Sequence, residues 1–264
     1  LIEDCALTLC SKVNGFLVGN FGDASIYSFD HTKPLNCFTG GVLSIKDNIL
    51  FSKAKQNYIG IEDVPINKQT AMIKRFILED KLFKSRKLNR LKLFDVFQII
   101  KNKLGFISPF LDEDSGLENR FKSYPYPSKM PFFSALIGIS QLKNWNEIAT
   151  KRKENFNILM EKLSNSKLKK SLPIVYNNAK YDIIPLRFIL CDTSSEYLKD
   201  KLKSYLDVNG IWFQKPIIST KLPMSDFGYK NDCLILEDIS KNIINIPLDI
   251  DRKKLLKLIG IILK

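Results

Sequence analysis

Three observations predict an α/β fold. Short apolar runs flanked by glycines recur in the first fifty residues, at Leu1 to Leu7, Ala24 to Phe29 and Val42 to Ile45. Stretches with apolar residues every three or four positions follow them, so strands give way to helices. The composition, 45% hydrophobic and 26% charged, is that of a globular chain with a sizeable core.

Leu1-Ile2 reads as the tail of a buried strand, with Glu3-Asp4 at its carboxyl end. A glycine-bearing turn follows at Val13-Asn14-Gly15, with further glycines at Gly19 and Gly22. Ala24 to Phe29 is a short strand, and Gly40-Gly41 leads into Val42 to Ile45. Asp47-Asn48 can cap a helix running to about Tyr58. Met72, Ile73, Phe76 and Ile77, then Leu91, Phe94, Phe97, Ile100 and Leu104, predict a pair of helices over 67–104. A basic junction holds Lys81, Lys84, Arg86, Lys87, Arg90 and Lys92. Gly105, Pro109, Gly116, Pro125 and Pro127 make 105–128 a loop or linker.

Beyond it, Phe132, Leu136, Ile139, Leu142, Trp145 and Ala149, continued by Phe156, Leu159 and Leu163, form an apolar stripe. It predicts one long amphipathic helix, or two joined, that packs on a core. Tyr181 to Cys191 is strand-like, Ser194 to Val208 helical, and Asn209-Gly210 ends that helix. Ile211 to Phe213 and Asn242 to Leu248 are further strands. Asp251 caps a last helix with Leu255, Leu256, Ile259 and Ile262 on its apolar face. Two domains are expected, 1–125 and 126–264.

The formal net charge of +13 invites a polyanion: nucleic acid, an anionic membrane or a phosphorylated small substrate. A solvated lysine-rich surface accounts for it equally well. No apolar run reaches the roughly 18 residues of a membrane span, and no motif of the RRM or helix-turn-helix kind accompanies the basic run. The five cysteines lack CxxC pairs and His31 is the one histidine, which argues against a disulfide framework or a Cys/His zinc site. A reduced, cytoplasmic protein is expected. Trp145 and Trp212 read as core or interface residues, and Cys5 and Cys37 as small buried packing.

The chemistry gathers near the start. Asp4 stands at one strand end and Ser28 at the next, with Lys33 five positions on and Gly40-Gly41 beyond. A carboxylate, a hydroxyl and a lysine are what a pyridoxal 5'-phosphate (PLP) site requires. The amine bonds the cofactor aldehyde, the carboxylate pairs with the protonated pyridine nitrogen, and the hydroxyl holds phosphate.

The order Ile2-Glu3-Asp4, Gly15 to Gly19, Phe21-Gly22-Asp23, Ser28-Phe29 to Lys33 and Gly40-Gly41 resembles the DegT/StrS family of PLP-dependent sugar aminotransferases. Lys129-Met130, Ala135 to Gln141-Leu142, Asn209-Gly210-Ile211 and Ile243 to Leu248 resemble its later signatures. The resemblance implies fold type I: a large α/β domain with a mostly parallel sheet, then a smaller α+β domain. It implies that Asp4 pairs with the pyridine nitrogen, that Ser28 binds the phosphate, and that Lys33 is the Schiff-base lysine and proton carrier. It also implies amino transfer from a donor such as glutamate to a keto nucleotide-sugar, for polysaccharide or lipopolysaccharide assembly. Family members are homodimers with active sites between subunits.

The pattern departs at three points. Leu7 stands where the family has Gln or His on the ring hydroxyl. Asp30 replaces the histidine after Ser-Phe, with His31 one place on. Pro127 occupies the position of an Asn that reaches the neighbouring subunit. The family's large domain also begins well before the aspartate strand, so the chain reads as a fragment lacking a phosphate-gripping helix N-terminus. The readings left standing are an active aminotransferase, a catalytically impaired relative, and a basic binding module built on Lys81 to Lys92.

Overall fold

The computed structural model describes residues 1–30, 32–84, 127–192, 197–198, 201–202 and 224–264. The expected helix over Leu91 to Leu104, the basic run beyond Lys84, most of the 105–128 linker, His31, Trp212, the strand Ile211 to Phe213 and most of the helix Ser194 to Val208 lie outside these residues.

The first sheet has three strands, β1 (Ile2–Asp4), β4 (Ala24–Ser28) and β5 (Gly41–Ile45), in the order β1-β4-β5. β1 pairs parallel to β4, with Asp4 opposite Ile26, and β5 is antiparallel to β4, with Gly41 opposite Ser28. Between β1 and β4 the chain makes the hairpin β2 (Lys12–Val13) and β3 (Phe16–Leu17), where the sequence showed only a turn. Asn14 and Gly15 both take positive φ there, as a tight hairpin requires. Ile2 is not buried: β1 is a sheet edge and Ile2 stands on its open face, 64% exposed.

Asp47 caps α1 (Asn48–Ile59) as predicted, accepting a hydrogen bond from the Leu50 N–H at 2.7 Å. α2 (Ile66–Lys84) buries Met72 against Phe38 and Val64, with Phe76 and Phe133 packed alongside.

The long apolar stripe folds as two helices, α3 (Phe132–Lys143) and α4 (Trp145–Ser164), which meet at Asn144. Here the expectation fails for α3. Phe132, Leu136, Ile139 and Leu142 are all more than half exposed, and the inner face carries Ser134 and Gly138. Small residues let α3 approach closely: a Cβ on Gly138 would stand 3.0 Å from Cys37 Sγ. On α4 the stripe does face inward, with Leu159 and Leu163 fully buried. Trp145 packs against Phe29, Leu35 and Cys37.

After two short 3-10 turns come β6 (Tyr181–Asp182), which joins the β2-β3 hairpin, and β7 (Arg187–Cys191). The single strand expected from Tyr181 to Cys191 is therefore divided. Its middle leaves the ladder at Ile183 and Ile184, where the Ile184 N–H donates to Ser11 Oγ at 3.0 Å, and Pro185, whose nitrogen cannot donate, makes only an isolated bridge to Thr8. β7 pairs antiparallel with β8 (Ile243–Pro247). Between them lies α5 (Leu234–Asn242), which the sequence reading missed. Asp251 caps α6 (Arg252–Ile262), accepting from the Lys254 N–H at 2.8 Å. Its buried face is Leu255, Leu258, Ile259 and Ile262, whereas Leu256 is 47% exposed. α4, β7, β8 and α6 together enclose the largest core, around Phe188, Ile244, Ile246 and Leu255. No described helix is long and apolar enough to cross a membrane.

Candidate active site

The parallel pairing of β1 with β4 puts their carboxyl ends side by side. Because side chains alternate along a strand, the register sets Asp4, Ile26 and Ser28 on one face and Glu3, Ser25 and Tyr27 on the other. The first face is open: Asp4 is exposed, Ile26 is 46% exposed and Ser28 is half-buried. Gly41, opposite Ser28, puts no side chain over the hydroxyl.

Asp4 Oδ1 accepts the Ala6 N–H at 2.9 Å, which orients the carboxylate and leaves its second oxygen uncommitted among the described residues. Lys33 follows β4 in a tight turn, its N–H donating to the Asp30 carbonyl at 2.9 Å. Among the described residues its amine makes no hydrogen bond or ion pair. A cleft between the two strand ends and this loop is lined by Cys5, Ala6, Thr8, Tyr27, Ser28 and Pro34. It brings Ser28 together with the immediate neighbours of Asp4 and Lys33. Of the three predicted residues only Ser28 lines the cleft; Asp4 and Lys33 stand one residue outside its lining, next to Cys5 and Pro34. A carboxylate, a hydroxyl and a primary amine have the chemistry to hold a cationic ring nitrogen, a phosphate and a carbonyl carbon respectively.

The opposite face explains why the strand end stays put. Glu3 Oε2 accepts the Gly19 N–H at 2.8 Å, and Oε1 accepts those of Phe21 and Gly22, each at 2.7 Å. The Gly22 N–H, with those of Gly19 and Phe21 and the charge of Lys46, holds the Glu3 carboxyl below its ordinary range against a smaller opposing effect of burial. Gly19 has φ +95°, and a Cβ there would collide with the Tyr27 hydroxyl. Sequence reading paired Glu3 with Asp4 as a mere strand end. The glycines sixteen to nineteen residues on were its signal.

Cys5 and Cys37 are buried, and burial pushes the Cys37 thiol up to about 11. Leu7 is 53% exposed, between Ala6 and Thr8 of the cleft. Pro127 is exposed and leads into Ser128, which bridges to Glu62.

Known proteins resemble the chain in sequence and in fold. GDP-perosamine synthase from Vibrio cholerae is 42% identical over 53 residues, 20% of this chain and 14% of that protein. The DegT DnrJ EryC1 StrS aminotransferase from Brucella abortus superposes with TM-score 0.60 at 16% identity, over 99% of this chain and 56% of that one. The aminotransferase TlmJ from Streptoalloteichus hindustanus gives TM-score 0.59 at 18% identity, over 100% and 57%. The PMP form of the putative sugar aminotransferase Spr1654 from Streptococcus pneumoniae gives 0.60 at 13% identity, over 99% and 57%. The chain thus has the fold of these fold type I enzymes and spans somewhat over half their length. The model of the DegT/DnrJ/EryC1/StrS aminotransferase family matches residues 1–72 and 112–254, and the interval between them holds the basic segment. With that match over most of its length, the chain belongs to the DegT/DnrJ/EryC1/StrS aminotransferase family.

Proposed function

We propose that the chain forms part of the active site of a PLP-dependent aminotransferase, which moves an amino group from a donor such as glutamate to a keto nucleotide-sugar. The observation that carries this reading is the open face shared by Asp4 and Ser28 at adjacent strand ends, with the Lys33 loop bordering the same cleft. The donor set fits PLP. The uncommitted Asp4 oxygen would accept from the protonated ring nitrogen, a charge-assisted bond. The Ser28 hydroxyl would donate to the phosphate. The Lys33 amine would bond the aldehyde carbon and carry the proton exchanged during amino transfer. Bound PLP supplies the electron sink that makes such a proton removable.

Family membership supports amino transfer, and the PLP and PMP forms of Spr1654 support the cofactor. The name of the V. cholerae relative supports a GDP-linked sugar product. In this reading residues 1–125 are the later part of the large domain, and 126–264 are the long helices and small domain. The largest core, drawn from residues 156–262, supports that division. A cytoplasmic homodimer completes the proposal. The exposed apolar stripe of α3 supports the second copy. A second reading, a relative with impaired catalysis, is favoured by Leu7, an exposed apolar side chain where the resemblance calls for a polar one.

Titration of the full chain with PLP, followed by absorbance, tests the site. Asp4→Asn and Ser28→Ala should each weaken binding by roughly tenfold, the scale of one charge-assisted hydrogen bond. Parent-like affinity in both variants refutes it.

A further inference from the structure

We propose that Gln141 is a positioning residue for Lys33: its side-chain amide pins the backbone of Asn36 and thereby fixes where the lysine loop presents its amine. The inference rests on the reading of Lys33 given above. Gln141 Oε1 accepts the Asn36 N–H at 2.8 Å, and Gln141 Nε2 donates to the Asn36 carbonyl. Both ends of one amide are thus spent on one residue, 105 positions away in the chain and three beyond Lys33.

The rest of the loop is built around this clasp. The Cys37 N–H donates to the Phe29 carbonyl at 2.9 Å, and the Phe38 N–H to Asn36 Oδ1 at 2.8 Å. Leu35 and Cys37 are fully buried on either side of Asn36. Gly138, one turn before Gln141 on α3, lies against Cys37, so the helix that carries the amide is seated directly on the loop. The pinned stretch begins just after Lys33, whose amine makes no hydrogen bond or ion pair among the described residues.

An amide suits this position because it presents a donor and an acceptor together, as the Asn36 backbone does. A carboxylate only accepts and an aliphatic side chain does neither. Gln141→Glu is nearly isosteric, yet it sets an anion against the Asn36 carbonyl. Gln141→Leu removes both bonds. Neither change touches Lys33, Asp4 or Ser28.

The test uses the full chain incubated with PLP, reduced with borohydride and digested, with mass spectrometry giving the share of fixed label on the Lys33 peptide. Asn155→Ala, a destabilising change in the other core, is the control. Gln141→Glu and Gln141→Leu should lower the Lys33 share roughly tenfold, the scale of one lost hydrogen bond, while Asn155→Ala keeps the parent's share. A parent-like share in Gln141→Glu, or an equal fall in Asn155→Ala, overturns the positioning role and leaves the reading of Lys33 standing. A parent that labels Lys53 or Lys55 in preference to Lys33 overturns the reading of Lys33 and the positioning role with it.

Discussion

Gly41 is the residue at which the sheet beneath the candidate site tolerates no side chain. It pairs with Ser28, and a Cβ built on it would stand 2.5 Å from the Tyr27 carbonyl oxygen. Carbon and oxygen at this kind of contact sit about 3.3 Å apart, so Gly41→Ala must part β4 from β5 by roughly 0.8 Å. The obstructing atom is backbone, which no rotamer change can move aside. Overpacking of this sort costs about 2 kcal/mol, roughly a thirtyfold fall in the folded-to-unfolded ratio. Gly60→Ala is the matched control. Gly60 has φ −74° and ψ −10°, and its added Cβ meets only the Asn57 carbonyl at 3.5 Å. Alanine there should stabilise by about 0.4–1 kcal/mol through the unfolded chain. Urea unfolding followed by circular dichroism, with amide exchange of the β4 and β5 residues, reads both. If Gly41→Ala lies within about 0.5 kcal/mol of the parent, the close approach and the argument built on it are wrong.

Glu3, held below its ordinary pKa chiefly by the Gly22 N–H, binds fewer protons folded than unfolded as pH falls through its titration. Its contribution is complete above the unfolded value of about 4.3 and is lost as pH falls through the lower folded one. The Gly19 and Gly22 amides should therefore lose protection, measured against their intrinsic exchange rates, as pH falls into that range, and Glu3→Gln should blunt that dependence. Gln at this position keeps an acceptor for Phe21 and Gly22 but turns an N–H toward Gly19, so Gly19 should lose protection first. Asn155 is 4% exposed and donates to the Leu248 and Ile250 carbonyls at 3.0 and 2.9 Å. Asn155→Ala should cost about 2–4 kcal/mol in chemical unfolding, from two buried acceptors left bare. Cys233 is exposed, whereas Cys37 is fully buried with its thiol raised to about 11. Iodoacetamide at pH 8 should alkylate Cys233 readily and reach Cys37 only on unfolding, as mass spectrometry of timed samples will show.

Features governed by near neighbours were legible in the sequence. Asp47 and Asp251 announce helix starts because a cap's partner lies three residues away. The strand ends at Asp4 and Ser28 were readable from glycine punctuation. Periodicity also found the helices around Leu136 and Leu159, but it reveals which residues share a face and not which face turns inward. On α4 the apolar side is buried, while on α3 the small residues Ser134 and Gly138 meet Cys37 and the apolar side is left exposed. Leu256 and Leu258 exchanged places for a related reason, since neighbouring leucines near the rim of a stripe are separated only by tertiary packing. Within the site, the residue types at Asp4, Ser28 and Lys33 were visible. The supports at Glu3 and Gln141 were not, because their partners are set by register and helix docking across 16 to 105 residues.

The account turns on whether Asp4, Ser28 and Lys33 receive one molecule of PLP. A crystal structure of the full chain grown with millimolar PLP decides this directly. The account predicts density continuous from the Lys33 amine to the cofactor, with the ring nitrogen at the Asp4 carboxylate and the phosphate at the Ser28 hydroxyl. PLP joined to another lysine, or seated with its ring nitrogen away from Asp4, would contradict it.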